Sequence, residues 1–139
     1  MRVIKFKAKC VDSGEWIAGN LVSYREDDGR DIVCIVSDHR NEIDACLEFT
    51  EVDPDTVCQF TGLYDSKGRE IYEGDIFRVG DHTIRVVYEI DRENGFALRI
   101  WKSPTLNSNS WRLPLEKSFV TDYEIVGNIY DEQEQINAN

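Results

Sequence analysis

Long apolar runs, methionine, histidine and closely spaced cysteines are scarce in this chain, and each scarcity narrows what the protein does. No stretch approaches the about 18 continuous apolar residues that a membrane-spanning helix needs. The start, MRVIKFKAKCV, alternates basic and apolar residues where a signal peptide would carry one apolar block, so a cytoplasmic chain is expected. Met1 is the only methionine, and no long segment shows an apolar stripe of period 3.6. Helix is therefore expected only as single turns, near Ser118–Tyr123 and around Pro54–Val57. Zinc sites favour cysteines or histidines paired at short spacing. Here Cys10, Cys34, Cys46 and Cys58 are scattered, and His39 and His82 stand alone. A cluster of His39, Cys34 and Cys46 is conceivable in three dimensions, but reduced thiols packed as small hydrophobes are the preferred reading. No serine or cysteine sits in a nucleophile elbow, and no glycine pattern fits a phosphate-cradling loop. The expectation is no catalytic residue, no metal and no cofactor.

Positive charge is also in short supply. Sixteen Lys and Arg against twenty-seven Asp and Glu leave a net charge of −11, with the excess spread along the chain. A polyanion is drawn to a positive surface by counterion release, which makes nucleic acid an unfavoured partner. An anionic membrane is unfavoured for the same reason.

What the chain does contain is alternation and turns. In Val3–Val11, Ile4, Phe6, Ala8 and Cys10 fall on one face and Lys5, Lys7 and Lys9 on the other, the period of a half-buried strand. Asp12-Ser13-Gly14 turns into a second strand, Glu15–Tyr24, in which Gly19-Asn20 marks a bulge or bend. Asp31–Ser37 is a near-continuous β-branched run, expected to be covered on both faces, and 38–45 reads as a loop. Strands follow over Cys46–Val52, Val57–Gly62, Arg69–Tyr72, Ile76–Val79, His82–Ile90, Phe96–Trp101, Trp111–Leu115 and Tyr123–Tyr130. Glu93-Asn94-Gly95 is a hairpin turn and Lys102–Ser110 a polar loop. Such short strands at regular turn intervals predict an all-β protein with little helix, a small barrel or sandwich. Residues 1–56 read as an N-terminal β segment, 57–130 as the barrel and 131–139 as an acidic, solvated tail.

The densest pattern is Gln59–Val79, QFTGLYDSKGREIYEGDIFRV. Asp65, Glu70, Glu73 and Asp75 crowd together there, and paired carboxylates can share a proton or hold a metal. Yet Asp65-Ser66-Lys67-Gly68 has the composition of a type I turn, and Glu73-Gly74-Asp75 that of a turn before an apolar strand. The preferred reading spends these acids on shaping turns.

This stretch, with Ile4–Gly19 (IKFKAKCVDSGEWIAG) and Tyr123–Tyr130 (YEIVGNIY), resembles the YopX-like family of phage and prophage proteins. The three blocks occur in the family's order and cover most of the chain. One departure is Ala8–Cys10 (AKC), where a run containing glycine or tryptophan is more usual. The resemblance implies a mostly β protein whose second half is an SH3-like barrel, a mobile-element origin and a bacterial cytoplasm. It implies no activity.

Most of the three Trp, six Tyr and six Phe are expected in the core. Tyr64 and Trp111, beside turns or polar loops, are expected to be partly exposed. A binding surface, if there is one, is sought at Tyr64, Lys67, Tyr72 and Trp111. The function expected from these features is a non-enzymatic module that binds another protein or its own copies. A single-strand nucleic-acid binder stands second, and an enzyme using Asp65, Glu73 or Asp75 third.

Overall fold

Strands make up most of the regular structure in the computed structural model, which describes residues 3–38, 47–89 and 95–131. It divides into two units, Met1–Phe60 and Thr61–Asn139. Outside the described residues lie most of the expected loop at 38–45, the Glu93-Asn94 half of the hairpin turn, His39, Cys46 and the tail beyond Asp131.

In the first unit, β1 (Phe6–Lys9), β2 (Trp16–Arg25), β3 (Asp31–Asp38) and β4 (Leu47–Glu51) form an antiparallel sheet in the order β4-β3-β2-β1. The opening of β5 (Cys58–Tyr64) adds to β1 through Phe6↔Gln59 and Lys7↔Cys58. Between β4 and β5 the chain makes one 3-10 turn, Pro54–Thr56, whose Thr56 hydroxyl accepts the Lys9 N–H at 2.9 Å. Ala8, Ile35 and Val52 form the buried centre, packed by Phe6, Ile17, Leu21, Val33 and Val57.

Three expectations change here. β2 runs without a bulge: its first residues pair with β1 and Asn20 onward pair with β3. Gly19 lies where the pairing changes over, and a Cβ there would stand 2.4 Å from the Val36 carbonyl oxygen. Close backbone approach, not a bend, is what requires glycine. The lysine face of β1 is likewise not simply solvated, for Lys9 is only 4% exposed. Trp16 is its cross-strand partner, and the Lys7 and Lys9 ammonium groups lie 4.6 and 5.4 Å from the indole centroid. Cation–π attraction and burial of the aliphatic stems draw both side chains under the ring. Ile4, by contrast, precedes the strand and is exposed.

In the second unit the end of β5 pairs with β6 (Glu70–Tyr72). A five-stranded antiparallel sheet follows, built from β7 (Asp75–Val79), β8 (His82–Tyr88), β9 (Phe96–Lys102), β10 (Arg112–Pro114) and β11 (Gly127–Asn128) in the order β10-β9-β8-β7-β11. Period two is plain in β8, where Ile84 and Val86 are buried and Arg85 and Val87 are not. Phe77, Leu98 and Ile100 join them in the core, as does Val120 of the short helix α1 (Lys117–Val120). Each such side chain contributes about 1.5–3 kcal/mol through burial. Pro114, which cannot donate to a ladder, sits in the edge strand β10.

The all-β class holds, and both expected helical turns are present. Closure into a small barrel is not part of this hydrogen-bond pattern, because β10 and β11 form the two edges of the sheet among the described residues. The expected strand Tyr123–Tyr130 shrinks to β11. Its upstream N–H groups are bound elsewhere: Ile125 donates to the Asp65 carboxylate and Val126 to the Ile76 carbonyl.

Candidate functional site

The chain leaves β5 at Tyr64 and must reverse at once to enter β6. Asp65 organises the reversal. Its side chain is fully shielded from solvent, yet both oxygens are satisfied. Oδ1 accepts the N–H groups of Lys67 and Arg69, each at 2.9 Å. Oδ2 accepts Arg69 Nε at 3.0 Å and the distant Ile125 N–H at 2.9 Å. Arg69 Nη2 also lies 2.9 Å from Oδ2 and donates to the Ile125 carbonyl at 2.7 Å. Burial works to raise the Asp65 pKa, but the Ile125, Arg69 and Lys67 N–H donors and the Arg69 guanidinium outweigh it and hold the group below its ordinary value.

Asp75 acts in the same way at the next turn and is 1% exposed. Oδ2 accepts the Tyr72 N–H at 2.8 Å, and Oδ1 accepts the Asn128 side-chain amide at 3.0 Å. Asn128 in turn accepts the Tyr130 N–H at 3.0 Å. Gly74, between them at φ +88°, takes the left-handed conformation in which a Cβ would meet the Asn128 amide at 3.2 Å. Both central aspartates therefore tie the middle of the chain to residues 125–128.

The four surface candidates separate. Tyr64 and Lys67 are exposed, Tyr64 by 52%. Tyr72 is buried at 4%, which removes it from an exposed rim. Its hydroxyl donates to Glu70 Oε1 at 3.2 Å, and burial followed by the Glu70 carboxylate raises the phenol above its usual pKa. Cys34 is buried as well, and burial together with Glu51 pushes its thiol up, away from a reactive thiolate. Among the described residues no three His, Cys, Asp or Glu side chains gather where they would hold a metal. No helix among them is long and apolar enough to cross a membrane.

Trp111 is half-buried and helps form a cleft. With Val79, His82, Ile84, Ile100 and Leu106 it encloses about 210 Å³ of almost wholly apolar space. Ligand pockets usually measure about 300–1,000 Å³, so this one suits a single apolar side chain better than a cofactor. One wall is the polar loop after β9, and its attachment is specific. The Ser103 hydroxyl accepts the Thr105 and Leu106 N–H groups at 3.1 and 2.8 Å. The same hydroxyl lies within hydrogen-bond distance of His82 Nδ1 at 2.7 Å, and His82 Nε2 lies 3.3 Å from the exposed Asp81 carboxylate. Sequence reasoning singled out Trp111 alone. The other lining residues come from three strands and a loop, and only strand register brings them together.

The family model described as "YopX protein" matches residues 5–137. No curated protein matches the chain. Among solved structures, protein EF1440 from Enterococcus faecalis is similar at 20% sequence identity and a TM-score of 0.50, covering 97% of this chain and 99% of that one. At that identity the likeness concerns the fold.

Proposed function

Because this chain belongs to the YopX family, we propose that it is a non-enzymatic interaction module of phage or prophage origin, acting in the bacterial cytoplasm. It binds another protein or its own copies, and the apolar cleft around Trp111 receives one apolar anchor side chain of the partner. That cleft is the observation that carries the reading. Interfaces draw most of their energy from a few apolar or aromatic anchors seated in small desolvated pockets. The non-enzymatic part is supported by Asp65 and Asp75, whose oxygens are engaged by backbone and side-chain N–H groups.

Light scattering over a range of protein concentrations, combined with capture from host lysate, tests the proposal. Self-association or a retained protein is expected, and Leu106→Ser should abolish it with the thermal midpoint unchanged, since Leu106 is 37% exposed. A strict monomer that captures nothing would overturn the reading.

Single-strand nucleic-acid binding has one observation in its favour, the half-buried Trp101 beside basic residues. Arg85 and Lys102 already lie 5.3 and 6.0 Å from that ring centroid, where a base would need to stack. Together with the net charge of −11, this places it second.

A further inference from the structure

Three arginines stand abreast in the second unit. Arg85 of β8 is the register partner of Arg99 in β9, and Arg99 is the partner of Arg112 in β10. Strand alternation sends them to the face opposite Ile84, Val86, Leu98 and Ile100. Adjacent strands lie about 4.8 Å apart, and like charges set directly opposite each other destabilise a sheet. Anions set against such a row offset that cost.

One anion is built in. Glu89, just past β8 and 16% exposed, accepts Arg99 Nε through Oε1 at 3.0 Å and meets Arg112 Nη2 through Oε2. A single planar carboxylate thus bridges two guanidiniums one strand apart. The neighbouring pair, Arg85 and Arg99, repeats that spacing, and among the described residues no carboxylate bridges it. The Arg85 guanidinium lies 5.3 Å from the Trp101 ring centroid, and its buried Nε has no hydrogen-bond partner among the described residues. Stacking fixes the plane of the fork but leaves Nε without an acceptor.

We propose that Arg85 and Arg99 form a receptor for one carboxylate, an Asp or Glu side chain presented by a protein partner. Glu89 supplies the template for the geometry, and the guanidinium fork matches a carboxylate with paired, charge-assisted hydrogen bonds. The inference rests on the protein-binding reading for the source of the carboxylate, but it concerns a different face of the sheet from the cleft.

The test follows the Arg85 Nε–H resonance by NMR in the intact protein while N-acetylglutamate amide is added. N-acetylglutamine amide serves as the uncharged control, and inorganic phosphate as the competing anion class. A saturating shift with the glutamate derivative and none with the glutamine derivative is expected. Arg85→Lys, which keeps the charge but loses the fork, should weaken apparent affinity by about tenfold, read in that variant on the Arg99 Nε–H resonance. Absence of a saturating shift overturns the receptor, as does a response to phosphate at lower concentration than to the carboxylate. Neither outcome bears on the cleft, which Leu106→Ser reads separately.

Discussion

Single residues decide where this chain turns, and Asp65 is the clearest case. Its folded pKa is depressed, so its contribution to stability is full above the unfolded value of about 3.9 and is lost as pH falls through the lower, folded value. Asp65→Asn should therefore lower stability at neutral pH and flatten the acid limb of the stability profile. Denaturant midpoints measured from neutrality down into the acid range will check it; parallel acid limbs in wild type and variant would exclude the account. Much of this was legible in the sequence, because Asp65-Ser66-Lys67-Gly68, with Asp first and Gly last, already reads as a turn. What could not be read was the reach of the bonds. Nothing local to Asp65 indicates that Ile125 donates to it, or that Asn128 completes Asp75.

At the scale of elements, alternation located most strands to within a residue or two, and failed where a side chain had another option. Alternation puts Lys9 on the polar face of β1, but an indole on the next strand offers both a π-face and cover for its stem. Tyr123–Tyr130 has the composition of a strand, but its N–H groups go to a carboxylate and to the Ile76 carbonyl instead of a regular ladder. Gly19 looked like a bend and is a clearance. Its substitution measures that clearance directly: Gly19→Ala forces the new methyl against the Val36 carbonyl, 2.4 Å away, with backbone that is not free to retreat. A loss of about 1–3 kcal/mol is expected from such overpacking, read by urea unfolding. A cost of only a few tenths would mean that β2 and β3 separate easily at this point.

Charge acts on the whole molecule. A body of net charge −11 repels polyanions before any local cation is felt, and the arginine row is small against that field. Fluorescence anisotropy with labelled duplex and single-stranded oligonucleotides should therefore stay flat even at low salt. A rise that salt abolishes would favour the nucleic-acid reading over the protein one. The cleft and the arginine row were not legible as sites in the sequence, since each is assembled by the register between successive strands, which alternation along one strand does not give. The aspartate bonds to the region of Ile125 and Asn128 also impose an order on biogenesis. A ribosome that has just delivered Asp65 and Asp75 has still to make some fifty to sixty residues before their remaining donors exist. At about 5–20 residues per second, that is a delay of roughly three to twelve seconds. Until then Asp65 lacks the Ile125 N–H and Asp75 the Asn128 amide, so completion of the second unit waits on the late arrival of its own clasp.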